Sequence, residues 1–268
     1  MMKRIRTALC LILAAALLAG CAFLPSESEP EALAPADPLT GHPLEWPGQR
    51  PVAVTIENST ASATQWGISS ASVVLEALTE AGMATELCLV YPALAATPKV
   101  GPVAAGQDIY WRLLVGQQPL PVQRGGGQFD QNYLDYYSIR AVDALEAGRT
   151  AFDCGSEWSN APLWYTSGSA VSKVLDALSI SAVLTESRVT SAASAAAASA
   201  SSGSDAVLTV PALLPQEEDG KLPDATAPDA VNVRVCFDDN NATGFAYDPD
   251  SGLYRMLHAD GTPQLDAN

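Results

Sequence analysis

The chain has 268 residues, with 14 Lys+Arg against 30 Asp+Glu, a formal net charge of −16 and 48% hydrophobic residues. A surface of that sign repels phosphate backbones, which excludes nucleic-acid binding as a working class, while the apolar fraction is ample for a buried core. The five cysteines form no Cys-x-x-Cys pair, which removes zinc-ribbon and thioredoxin-type readings.

Lys3, Arg4 and Arg6 precede an uncharged run of 17 residues, Ala8 to Leu24. The run is Ala-rich, stands at the lower limit of what spans a bilayer, and has no basic stop-transfer flank; a cleaved secretory signal is the better reading. Leu18-Ala19-Gly20-Cys21 resembles a bacterial lipoprotein box, which implies cleavage before Cys21 and acylation of its thiol; an ordinary secretory signal with a chance cysteine is the alternative. Loss of residues 1–20 leaves 11 Lys+Arg against 30 Asp+Glu, a net charge of −19. The acyl chains would then hold the protein on a membrane against mild head-group repulsion.

Ala22 to Gln49 carries six prolines among Ser, Glu and Ala and reads as an extended tether. Arg50-Pro51 opens a strand over Val52 to Ile56. Ser72 to Pro92 reads as a hairpin around Glu80-Ala81-Gly82-Met83, although Leu75 to Leu78 also suits a helix. Val103 to Val115 has a helical stripe, with Pro102 in the first turn. Pro119 to Arg124 is strand-like and runs through Gly125-Gly126-Gly127 into a helix over Gln128 to Tyr137. Ser169 to Leu178 is an amphipathic helix with Val171, Val174, Leu175 and Leu178 on one face. Residues 191–204 are Ala/Ser-rich with no face to bury, as in a flexible insertion. Val231 to Phe237, Gly244 to Tyr247 and Leu253 to Leu257 form a meander separated by Asp/Asn/Gly turns.

The expected organisation is a signal peptide over 1–20, a lipidated Cys21 and tether over 21–49, a main domain over 50–185, a low-complexity insertion and linker over 186–228, and a C-terminal β region over 229–268 that looks incomplete. The fold class is α+β, a mixed sheet with helices in the main domain plus a C-terminal β-meander.

Few residues carry chemistry. The triple glycine lacks the Gly-Lys-Ser/Thr ending of a phosphate loop and meets Asp130, so it reads as a tight turn. Asp248-Pro249-Asp250-Ser251-Gly252 is too short for a calcium loop and reads as a hairpin turn. His42 and His258 are the only histidines, and neither falls within residues 50–180, where most of the fold lies. That leaves no Ser-His-Asp or Cys-His set there. Carboxylates are plentiful in or beside strands: Glu57, Glu76, Glu80 and Glu86. Of the cysteines outside the signal, Cys88, Cys154 and Cys236 form an odd set, compatible with one disulfide or with buried thiols.

Several stretches together resemble the YerB-like lipoprotein family, whose domain has no known function. They are Pro38-Leu39-Thr40-Gly41, Arg50-Pro51-Val52-Ala53-Val54 with Glu57-Asn58, Gly67-Ile68-Ser69, Val74-Leu75-Glu76-Ala77-Leu78 and Glu80-Ala81-Gly82-Met83. The order continues through Lys99-Val100-Gly101-Pro102-Val103, Gly125-Gly126 and Ala161-Pro162 with Tyr165-Thr166. A weaker match covers Val231 to Asp266. Family members carry Ser-Ala-Arg after Gly-Pro-Val, a histidine before the glycine turn, a Pro-His-Asn run and a Thr-Arg pair. This chain has Ala104-Ala105-Gly106, Gln123-Arg124, Pro162-Leu163-Trp164 and Ala84-Thr85-Glu86 in those places. The resemblance therefore implies a divergent, non-catalytic relative.

The expectation is a cell-envelope lipoprotein on the extracytoplasmic face of the membrane, attached through Cys21, using its domain to bind an envelope ligand or partner without cofactor or metal. The expected cleft lies where Glu57-Asn58 ends the first strand and Arg124, Gly125 and Gly126 lead into a helix, with Glu76 nearby. The rival is a carboxylate-dependent hydrolase of wall polymers with Glu57 and Glu76 as its acid/base pair, which needs both carboxyls in one pocket.

Overall fold

Val-Ala-Val-Thr-Ile-Glu is apolar at consecutive positions, the pattern of a strand covered on both faces. In a computed structural model, which describes residues 35–58, 64–79, 82–154, 163–184, 210–214 and 229–267, that stretch is the central strand β1, Val52–Glu57. The main sheet adds β2 (Val73–Leu78), β3 (Thr85–Tyr91), β4 (Leu120–Gln123) and β5 (Val142–Asp143) in the order β2-β3-β1-β4-β5. β3 is antiparallel to β1 and β2, and β1, β4 and β5 run parallel.

Alternate residues of β1 feed two cores. Val52, Val54 and Ile56 join Leu87, Leu89 and Tyr91 under Phe152, Val171, Val174 and Leu175. On the other face Ala53, Cys88 and Val90 meet Tyr110, Trp111 and Leu114 of α1 (Asp108–Leu114) and Tyr133 and Leu134 of α2 (Gln128–Tyr136). The one polar β1 residue between them, Thr55, is fully buried and donates to Ala104 O at 3.0 Å, which satisfies its hydroxyl. Two short helices, α3 (Ala144–Ala147) and α4 (Gly168–Val171), complete the layers. Arg50 is 6% exposed and clamps the chain by donating to the carbonyls of Gln118, Pro119 and Ser181.

The meander appears as β6 (Asn232–Cys236), β7 (Ala242–Asp248) and β8 (Leu253–Leu257), a separate antiparallel sheet. The Asp248 carboxylate organises the β7–β8 turn, accepting from Asp250 N and Ser251 Oγ and pairing with Arg255 at 2.6 Å. The architecture is α+β, and the 72–92 hairpin, the strand over 120–123 and the helix from 128 stand as expected.

Three expectations change. Residues 36–49 are not part of a free tether: Leu39 is 5% exposed in the second core, Leu213 N donates to Pro38 O, and Gln49 bridges Val183. The helix expected from Val103 begins only at Asp108, because residues 100–106 are drawn into long-range pairing. Val100 bridges Thr166, Gly101 bridges Trp66, Val103 bridges Ile56 and Gly106 bridges Gly126. Gly101-Pro102 is moreover a cis bond, not a helical first turn. The helix expected over 169–178 is helical only to Val171 and continues as turns, yet Val171, Val174 and Leu175 are buried as their spacing implies. Cys88 and Cys154 are buried and Cys236 is exposed, all three as free thiols. Cys21, residues 1–20 and the 191–204 segment lie outside the described residues.

Candidate functional site

The site is assembled by strand register. Glu57 closes β1 and stands directly opposite Glu86 of β3, so both side chains leave the same face of the sheet. Two like charges so placed repel, and a cation answers them from the next strand. Arg124, just past β4, brings Nη2 to 4.0 Å from Glu57 Oε1. Backbone bonds set that approach, since Glu57 N donates to Pro102 O and Arg124 N to Ala104 O, at 2.9 and 2.8 Å. The stretch diverted from the expected helix thus sits between the two strands and holds their ends in place.

Glu86 is packed from below. Gln107 donates to its carboxylate and Tyr110 to its backbone carbonyl. Burial pushes the Glu86 carboxyl up to about 7; the Gln107 bond pulls it down, Glu57 pushes it up and Arg124 pulls it down. Near neutral pH the group therefore exchanges a proton readily, beside a second carboxylate and a guanidinium. The Arg124–Glu57 pair is long and about one-third exposed on each side, a geometry that contributes only about 0–1 kcal/mol to stability. Among the described residues Arg124 Nε is buried without a hydrogen-bond partner.

The triple glycine supports the site from behind. Gly125 takes φ +68°, and its N–H donates to both oxygens of Asp143, at 2.9 and 3.0 Å. Asp143 also caps α3 by accepting from Leu145 N. The turn's amide is therefore used by a protein carboxylate, in keeping with a structural turn. Gly126 has no room for a side chain, because a Cβ there would fall 1.9 Å from Asp130 Oδ2. Asp130 is fully buried and accepts from Trp111 Nε1 at 2.5 Å and Gln123 Nε2 at 2.9 Å. Burial raises its pKa, and those two bonds oppose the rise.

Of the six ligand residues read from the sequence, Glu57 and Arg124 converge, with Gly125 and Gly126 behind them. Asn58 and Glu76 do not join them. Glu76 is in register with Leu87, and Leu87 pairs with Ile56, so Glu76 leaves the opposite face from Glu57. The Glu57–Glu76 acid/base pair is accordingly not formed. Glu76 Oε1 instead accepts from Asn58 Nδ2 at 3.0 Å and from Thr243 Oγ1 at 2.7 Å, tying β2 to the second sheet. Glu86, Gln107 and Asp130 complete the site. Glu86 shows in the sequence only as one more carboxylate in a strand and Asp130 only as the acid that follows the glycine turn, and Gln107 carries no signal there. Among the described residues no three His, Cys, Asp or Glu side chains gather to hold a metal ion, and no helix is long and apolar enough to cross a membrane.

Comparison with known proteins shows the family of the chain and a similar fold. The crystal structure of the YerB protein from Bacillus subtilis is similar in fold, with a TM-score of 0.64 and 22% identity over 87% of this chain and 69% of that one. No curated protein sequence matches. Residues 39–181 match the family described as "Protein of unknown function (DUF3048) N-terminal domain". That span is more than half of the chain, and the protein belongs to this family.

Proposed function

We propose that the protein is an envelope lipoprotein, anchored through acylated Cys21 on the extracytoplasmic face of the membrane, whose domain binds a ligand at the Glu57–Glu86–Arg124 cleft without transforming it. The observation that supports the cleft is the partly exposed Arg124 guanidinium set 4.0 Å from one of two carboxylates in direct register. A matching ligand offers an acceptor to Arg124 and a donor, such as an ammonium or amide N–H, to the glutamates. The anchor is supported by the order of cationic start, apolar run and Leu-Ala-Gly-Cys box. A hydrolase is the weaker reading, because the acid/base pair it required stands on opposite faces of the sheet.

Two experiments test the reading. Immobilised full chain and its Glu57→Gln/Arg124→Ala variant are exposed to detergent extracts of cell envelope. Loss of the retained species by the variant, with an unchanged thermal melt, is expected; equal retention removes this cleft. In detergent phase partitioning, Cys21→Ala should move the protein from the detergent to the aqueous phase. Identical partitioning of both forms would refute the anchor.

A further inference from the structure

A second concavity opens on the other side of Asn58, between the main sheet and the β6–β8 sheet. It has a volume of about 250 Å3, and its polar wall is formed by Asn58, Thr85, Asn240, Asn241, Thr243 and His258. Among the described residues none that lines it is Lys, Arg, Asp or Glu, although the chain as a whole carries a net charge of −16. In this compartment a charged ligand finds no counter-charge among those residues.

The wall is pre-positioned, and part of its hydrogen-bonding capacity is unspent. Asn58 is locked by donating to Glu76 and Thr85 and accepting from Gln264. Among the described residues Thr85 Oγ1 only accepts, which leaves its O–H to donate, while Thr243 donates to Glu76 and keeps its lone pairs. Asn241 donates to Asp238 and retains its carbonyl oxygen. The Asn240 amide and His258 ring make no side-chain hydrogen bond among the described residues. Met83, Ala84 and Ala259 supply apolar patches beside these groups. Interleaved donors, acceptors and small apolar patches suit a ligand whose hydroxyls both give and accept while its C–H groups need a dry surface.

The concavity does not end there. Ala242, His258 and Ala259 also line an adjoining pocket of about 270 Å3 over the small sheet, where Phe245 and Leu257 offer an apolar floor and Arg234 and Asp260 bring one charge of each sign, a donor and an acceptor for hydroxyls. Each compartment lies just below the roughly 300–1,000 Å3 of sites for drug-sized molecules, so each suits one ring-sized unit. Two compartments of nearly equal volume sharing one wall match a chain of repeating units.

We infer that this double pocket is a binding site for an uncharged glycan, one sugar ring per compartment, separate from the Glu57–Glu86–Arg124 cleft. The test titrates purified full chain in detergent with N-acetylglucosamine and with its β-1,4-linked dimer, using glucosamine and glucuronate as charged controls. The neutral sugars should saturate, the dimer about tenfold more tightly than the monomer, corresponding to about 1.4 kcal/mol for the second ring. Asn240→Ala with His258→Ala should weaken both by about tenfold, and Ala259→Trp, an exposed change on the shared wall, should abolish dimer binding with the melt unchanged. Arg124→Ala should leave sugar binding intact, which keeps this inference distinguishable from the cleft. No saturation, undiminished binding by Ala259→Trp, no gain from the dimer, or equal binding of the charged controls would each overturn it.

Discussion

Replacing Glu86 by Gln gives the sharpest test of the cleft's electrostatics. Burial shifts this carboxyl from its ordinary 4.5 to about 7, so the folded protein holds a proton there that the unfolded chain releases at lower pH. Below pH 4.5 both states are protonated and the site costs nothing. Between 4.5 and 7 the folded state binds more protons than the unfolded state, so stability falls as pH rises, and above about 7 the full penalty applies. At about 1.4 kcal/mol per pH unit that interval corresponds to about 3 kcal/mol. Glutamine resembles the neutral acid in shape and can still accept from Gln107 through its carbonyl. Urea denaturation of wild type and Glu86→Gln should therefore give similar stabilities at pH 4.5 and a variant more stable by up to about 3 kcal/mol at pH 8. The same gain at both pH values, or a Glu86 carboxyl resonance titrating near 4.5 in NMR, would refute the reasoning. The neighbours supply an internal control: Glu57→Gln should lower the Glu86 midpoint and Arg124→Ala should raise it further.

Gly126→Ala should destabilise the fold by at least about 2 kcal/mol in denaturant titration, because its Cβ would meet the Asp130 carboxylate held by Trp111 and Gln123. A melt equal to wild type would show that this packing can yield. Alkylation of the native protein should label Cys236 rapidly and Cys88 only after denaturation, because burial raises the Cys88 thiol far above its ordinary range. Mass spectrometry finding equal labelling of the two would contradict their placement. Glu76→Ala removes the acceptor shared by Asn58 and Thr243 and should speed hydrogen exchange in β7 while β1 amides remain protected. Unchanged β7 exchange would mean that the small sheet is held by other contacts.

Much of the architecture is written locally. The nearly continuous apolar run of Val52 to Ile56, the glycine stop before Gln128 and the Asp/Gly-punctuated repeats after Val231 announce strand, helix and meander, because side-chain patterning and turn chemistry act over a few residues. The order of matching motifs likewise placed the chain in its family. The site was only half legible. Glu57 and Arg124 flag themselves as strand-end charges, but Glu86 gains its meaning from pairing across β1, and Glu76 loses its expected role because it lies one residue out of phase. A one-residue offset in a strand exchanges the sheet's faces, and nothing in either strand's own sequence reveals the register it will take.

The segment from Val103 to Gly106 makes the same point in the opposite direction. Its helical stripe is real, yet bonds to Ile56, Trp164 and Gly126, distant in sequence, outweigh a local preference of a few tenths of a kcal/mol per residue. By itself the sequence determined most of the strands, the helix from Gln128 and the net negative charge. Tertiary structure alone decided which carboxylates meet, because that depends on register and crossovers that close only when the whole sheet does.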